Sequence, residues 1–157
     1  PPYIARRLLR FATEDIGLAD PQAMVQALAS WETYERLGSP EGELAIVQCV
    51  IYLSSAPKSN AAYLAAKNST IAAINNGSLP PPKQILNAPT KLMRRMGYSE
   101  GYEYDHDSKV GFSGQNYFPD GIKRQLFYHP VDRGYERELK KRLSYFSKLR
   151  DHLNKKP

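Results

Sequence analysis

The sequence predicts an all-α fold, a compact helical domain with an irregular tyrosine- and glycine-rich segment before its last helix. Three observations carry that prediction. Start and stop residues cut the first half into helix-length pieces, at Gly17, Asp20-Pro21, Gly38, Ser39-Pro40, Ser59 and Gly77. Between them, apolar residues recur at spacings of three and four. From Gly97 to His129 that periodicity disappears, and it returns only after Asp132.

The first helix is expected from about Tyr3 to Asp15, with Ile4, Leu8 and Phe11 on one face and Gly17 as its stop. Asp20-Pro21 supplies a capping carboxylate and a proline at the first helical position. The second helix then carries Met24, Leu28, Trp31 and Tyr34 on one stripe and ends at Gly38. Ser39-Pro40 repeats the start signal, and Glu41 and Glu43 suit the positive end of a helix dipole. The third helix, about Pro40 to Ala56, is apolar nearly all round from Leu44 to Leu53, which predicts burial on every side. Cys49 lies in that run and reads as a small buried hydrophobe. Ser59 caps a fourth helix, Asn60 to Asn76, whose six alanines permit close approach of a neighbour; such a cap contributes about 1 kcal/mol.

Pro80-Pro81-Pro82 ends helical propagation and favours an extended path. Short helical pieces are expected around Lys83–Leu86 and Thr90–Met96, with a short strand near Leu126–Tyr128. Tyr98, Tyr102, Tyr104, Tyr117 and Tyr128 are expected to pin the irregular stretch by ring packing. Asp132 caps a last helix to about Leu153, striped by Tyr135, Leu139, Leu143, Phe146, Leu149 and Leu153 and laced by Glu136–Lys140 and Glu138–Arg142 pairs. The chain thus reads as one helical domain over 1–157. It has a four-helix part (1–79), a Pro/Tyr-rich part with short helices (80–131) and a C-terminal helix (132–154).

A chain of 157 residues can bury a real core. One cysteine excludes an intrachain disulfide and a cysteine-based zinc site. The longest apolar run is half of a membrane span. The start at Pro1-Pro2 reads as a piece of a longer protein. Charge is uneven: residues 1–79 hold six Lys/Arg and seven Asp/Glu, whereas 80–157 hold sixteen and nine, a balance of +7. A basic half attracts polyanions by counterion release. Lys91, Arg94 and Arg95 on one short helix, and Lys140, Lys141 and Arg142 on the last, are the candidate contacts to a nucleic-acid backbone, the alternative being a solvated charged face.

Catalytic patterns are sparse. No GxxxxGK[ST] loop occurs, so a nucleotide is not bound in that manner. There is no GxSxG elbow. Asp105-His106-Asp107 reads as a turn before a metal cluster, and Glu14-Asp15 as a helix-end ion-pair network with Arg6, Arg7 and Arg10. No catalytic, cofactor-binding or metal-ligating residue is assigned. A stand-alone enzyme would need a deep polar pocket.

Four runs carry a family resemblance: IARRLLRFATEDIGLADPQA (4–23), GSPEGELAIVQCVIYLSSAPKSNAAY (38–63), NAPTKLMRRMGYSEGYEYDHD (87–107) and FYHPVDRGYE (127–136). Together they resemble the C-terminal domain of the replication-associated recombination protein A (RarA/MgsA) family of AAA+ ATPases, to which the Werner helicase-interacting protein is related. The resemblance implies a clamp-loader collar-like helical domain that assembles a homotetramer and acts at stalled replication forks in DNA recombination and repair. It implies DNA single-strand/double-strand junctions and single-strand-binding protein as partners of the parent, a cytoplasmic bacterial setting at the nucleoid and fork, and no membrane. The nucleotide-binding motifs are not in this sequence, so ATP and Mg belong to the remainder of such a protein, and no cofactor is expected here. Phe11, Trp31 and Tyr34 are the candidate interface anchors, against the plain alternative that all three are core.

Overall fold

The computed structural model describes residues 2–155. It is 61% helical, with six α-helices and no strand among the described residues. They are α1 (Pro2–Phe11), α2 (Gln22–Leu37), α3 (Glu41–Ser55), α4 (Ala61–Asn76), α5 (Lys91–Arg95) and α6 (Glu136–Leu153). The chain divides into two compact units: the residues up to Thr70 together with Phe127–Lys141, and Ile71–Leu126 together with Arg142 onward.

In the first unit, α1 gives way at Phe11 to a π-helical turn, Ala12–Ile16, and then a 3-10 turn, Gly17–Ala19. The α-helix is therefore shorter than the periodicity suggested, because the backbone widens so that the Gly17 amide reaches back to the Ala12 carbonyl. The core is built from Ala12, Ile16, Ala23, Ala27, Cys49 and Leu53, with Leu8, Leu9, Phe11, Tyr52 and Ala56 packed around it. Small side chains bring the helices close. At Gly42 an added Cβ would stand 2.8 Å from the Tyr34 Cα, so α2 and α3 cross there almost backbone to backbone. These two form the most extensive helix pair.

The close crossing overturns two expectations. On α2 the buried face is Ala23, Ala27 and Ser30, while Met24 and Leu28 of the predicted stripe point to solvent. On α3 only Gly42, Cys49 and Leu53 are buried, so the helix is not enclosed on all sides within this chain. The larger side chains do not fit where alanine and glycine set the distance. Cys49 is buried, as its position in the apolar run indicated.

Asp20 serves the start of α2 from one position earlier than expected, because the N-cap position is Pro21 and the helix begins at Gln22. Its Oδ1 accepts from the Gln22 amide at 3.0 Å, and its Oδ2 accepts from the Tyr52 hydroxyl at 2.7 Å, tying the start of α2 to α3. α3 starts with the Ser39 hydroxyl donating to Glu43 at 2.7 Å.

In the second unit Thr90 caps α5 through the Met93 amide, and 3-10 turns occupy Lys83–Ile85 and Asp105–Asp107. Asp105 accepts from both the amide (2.8 Å) and hydroxyl (2.7 Å) of Ser113, which hold its carboxyl below its ordinary range. The Asp-His-Asp run is thus a loop closure. Tyr102, Tyr104 and Tyr117 are about half exposed and pin this segment less than expected. The strand expected at Leu126–Tyr128 does not form, since no neighbouring strand exists for it to pair with among the described residues. Asp132 does not cap the last helix, which begins four residues later at Glu136; its carboxylate holds Lys140 instead, at 2.7 and 2.9 Å. The Glu136–Lys140 pair is accordingly absent, and Glu138 takes Lys141 at 2.8 Å.

The Tyr52–Asp20 bond makes stability depend on alkaline pH. The hydrogen bond to Asp20, with burial, raises the Tyr52 phenol. A raised folded pKa contributes stability that is complete below the unfolded value, about 10, and is lost as pH rises through the folded one. Denaturant unfolding should therefore find wild type more stable than Tyr52→Phe at neutral pH, with the gap closing above about pH 10. A gap independent of pH would show that the bond contributes nothing.

Candidate assembly surface

The run Ala56–Asn60 joins α3 to α4 and clasps the first unit together. Lys58 turns back on α3: its Nζ donates to the carbonyls of Leu53 (2.8 Å), Ser54 (3.3 Å) and Ala56, closing the helix's negative end. The same ammonium sits 5.4 Å over the Phe11 ring. Ser59 donates its amide to the Asp15 carbonyl at 2.8 Å, accepts from the Ala61 amide at 3.2 Å and donates its hydroxyl to Glu136 Oε1 at 2.9 Å.

Glu136 is fully buried, the only residue of α6 that is. Its Oε2 accepts from the Val131 amide at 2.7 Å. It lies at the first position of α6, where the helix dipole favours an anion. Tyr128 brings its shielded hydroxyl near this carboxylate but outside hydrogen-bond geometry; burial, and then the neighbouring charge, hold that phenol far above its ordinary pKa. The loop before α6 is threaded just as tightly. The Tyr135 amide donates to the Ala19 carbonyl at 2.8 Å, and a Cβ at Gly134 would stand 2.0 Å from that same oxygen and 2.7 Å from Pro57. Only glycine fits there, and its φ of +52° suits glycine too.

The clasp fixes which face of α3 is left over. Leu44, Val47 and Ile51, at spacings of three and four, stand 62, 51 and 63% exposed, with Val50 beside them. Apart from Glu41 and Glu43 in its first turn, α3 carries no charge. On α2, Met24, Val25 and Leu28 are about half exposed. α4 carries one charged residue, Lys67, and exposes Tyr63, Leu64, Ile71 and Ile74. A shallow cleft beside α4, lined by Arg10, Thr13, Glu14, Ala62 and Tyr63, contains the Arg10–Glu14 pair at 2.6 Å, so that carboxylate is used structurally.

The anchor candidates all have partners inside the chain. Phe11 is half-buried against the core under Lys58. Trp31 and Tyr34 are half-buried and stacked, with centroids 5.6 Å apart and planes 12° from parallel, and Tyr34 abuts Gly42. Among the basic candidates, Lys91, Arg94, Arg95 and Arg142 fall in one unit and Lys140 and Lys141 in the other. Lys140 is held by Asp132, Lys141 by Glu138, and the Arg94 Nε donates to the Ala88 carbonyl at 3.2 Å. Arg95 lines a polar groove with Lys83, Glu100 and Asp120. Among the described residues no group of three His, Cys, Asp or Glu is placed to hold a metal ion, and no helix is long and apolar enough to cross a membrane.

Periodicity could not have found Glu136, because a glutamate in a first helical turn looks like an ordinary dipole partner. Its sequence signal is weak: a serine at 59 and a glycine at 134, each flanking a tight connection. Removing the carboxylate strands the Ser59 hydroxyl and the Val131 amide. Glu136→Ala should cost about 2–4 kcal/mol in denaturant unfolding. Ser59→Ala made in that background should cost less than alone, a coupling of about 0.5–3 kcal/mol; strictly additive losses would contradict the clasp.

The MgsA AAA+ ATPase C-terminal family model matches residues 1–147. The chain is 47% identical to the replication-associated recombination protein A of Coxiella burnetii over 96% of its own length and 34% of that protein's. It is 43% identical to the protein of the same name from Escherichia coli K12, over 94% of the chain and 33% of the relative. A more distant relative is the ATPase WRNIP1 of Dictyostelium discoideum, 38% identical over 82% of the chain and 15% of that protein. The chain thus spans about a third of the length of these two bacterial relatives. This chain belongs to the family of MgsA-type AAA+ ATPase C-terminal domains.

Proposed function

We propose that this domain assembles copies of a replication-associated AAA+ ATPase, as a homotetramer, and performs no catalysis itself. The observation that carries the reading is the exposed Leu44–Val47–Ile51 stripe on a helix with no charge beyond its first turn. A soluble chain rarely leaves such a face to water. Burying one Leu, Ile or Val contributes about 1.5–3 kcal/mol, so three per copy drive association if the rest of the contact fits. A stable interface covers more than about 1,000 Å², which asks for more than α3. Met24, Val25 and Leu28 of α2 with Tyr63 and Leu64 of α4, all in the same unit, are the extension, with Trp31 and Tyr34 at the α2 edge and Phe11 supporting from within.

ATP and Mg act, in this reading, in the remainder of the protein, and the assembled domain holds those ATPase parts in register. DNA junctions, single-strand-binding protein and a fork-associated cytoplasmic setting belong to the same proposal and rest on the family resemblance; the relatives' names supply replication-associated recombination alone. A second reading, a module for the DNA backbone, is favoured by Lys91 and Arg95, which make no ion pair among the described residues. Lys140, Lys141, Arg94 and Arg142 join it only by giving up or sharing contacts within the chain.

Light scattering on Leu44→Glu/Ile51→Glu tests the first reading. The variant should fall to the monomer mass of 17.8 kDa with its helical circular dichroism unchanged. A variant that keeps the wild-type assembled mass would overturn it.

A further inference from the structure

The second unit holds an open cleft of about 460 Å³, within the range of small-ligand sites. Its walls are Gln84, Ile85, Asn87, Ser99, Tyr102 and Tyr117, and none of them is charged. Three segments meet there, and hydrogen bonds tie them to one another. Gln84 Nε2 donates to the Asn116 carbonyl at 3.0 Å. Gln115 Nε2 donates to the Gly101 carbonyl at 2.6 Å, and its Oε1 accepts from the Glu103 amide at 3.2 Å, so the backbone on either side of Tyr102 is joined to the segment that carries Tyr117. Ser99 closes the third side. Its amide donates to the Lys83 carbonyl at 3.0 Å and its hydroxyl to the Leu86 carbonyl at 2.6 Å. Its φ is +62°, the one positive value at a non-glycine among the described residues, and these two bonds hold it there. The cleft is therefore pre-formed.

The same bonds leave the recognising groups free. Tyr102 and Tyr117 are 50 and 45% exposed. Neither ring packs on another aromatic ring, and neither hydroxyl has a partner among the described residues. The Asn87 amide has no partner among them either. Gln84, with one N–H on Asn116, keeps its Oε1 and its second N–H. Two aromatic faces, with two amides that each offer a donor beside an acceptor, suit a flat neutral ring with a polar edge. A proline-rich strand fits less well: it offers carbonyls but few N–H groups and would leave both amide oxygens unmatched. A phosphate finds no cation among the cleft walls. The adjoining groove, which shares Gln84, sets Lys83 and Arg95 against Glu100 and Asp120, so its charge balances.

We infer that this cleft binds a nucleobase, stacked on the Tyr102 and Tyr117 rings and read along its edge by Gln84 and Asn87. The base comes from a single-stranded nucleic acid or from a free nucleoside; the recognition is the same. It differs from backbone contact in one measurable respect. A stacked, hydrogen-bonded base releases no counterion, so its share of the affinity does not vary with salt. It is also separate from the apolar α2–α3 surface, which belongs to the other unit.

The test titrates the 157-residue chain, which has no GxxxxGK[ST] loop to take a nucleotide, with adenosine and with a short labelled oligodeoxyadenylate. A base in the cleft should shift the side-chain amide NMR signals of Gln84 and Asn87. Shifts that saturate with adenosine identify a free-nucleoside site; shifts seen only with the oligonucleotide identify a single strand. No shift with either would overturn the inference. In anisotropy, Tyr102→Ala/Tyr117→Ala should weaken the bound probe by at least about fivefold at every salt concentration and leave the salt slope unchanged. Both rings are half exposed, so the core stays filled. Asn87→Leu, at an exposed position, keeps the side-chain shape without the polar edge and should weaken binding by about five- to tenfold. Unchanged affinity in either variant, or a loss that appears only as a lower salt slope, contradicts base recognition. So does a proline-rich peptide that binds the cleft more tightly than either probe.

Discussion

The rest of the first unit depends on one buried carboxylate. Burying a charge without a cation is costly unless hydrogen bonds replace the water it loses. Glu136 recovers that cost from the Ser59 hydroxyl, the Val131 amide and the positive end of its own helix. The Ser59 contact spans 77 positions in sequence, so the connection between α3 and α4 cannot move without breaking it. Lys58 works from the other side of the same turn, closing α3 and covering Phe11. Sequence sets this up in a few residues: a lysine and a serine in succession, a glycine that lets Ala19 approach, and the glutamate.

This fixed junction supports the assembly proposed above through what it leaves on the surface. The clasp and the close α2–α3 crossing consume the small side chains, Ala23, Ala27, Gly42 and Cys49. The large ones, Leu44, Val47 and Ile51, are what remain outside. That exposed apolar stripe is the feature on which the proposed assembly rests. The interior is already filled by backbone contact, so repacking inward offers no escape.

The helical punctuation was legible because capping chemistry is local. Asp20, Gly38 and Ser59 act at or beside the helix ends they mark. The family was legible from long runs of sequence. Burial direction was not, because periodicity says which residues share a face but not which face turns inward. On α2 the alanine face won over the Met24–Leu28 face, and backbone proximity at Gly42 decided it. The Asp132 cap failed for a related reason. Asp132 had a competing partner in Lys140, and the helix start was set by the distant partner of Glu136.

In the proposed assembly this surface is completed by further copies of the chain. The most direct measurement is the mass of the unaltered chain by sedimentation velocity over a wide dilution series. The account predicts a species of about four times 17.8 kDa that persists on dilution. A single species at 17.8 kDa at every concentration would contradict it.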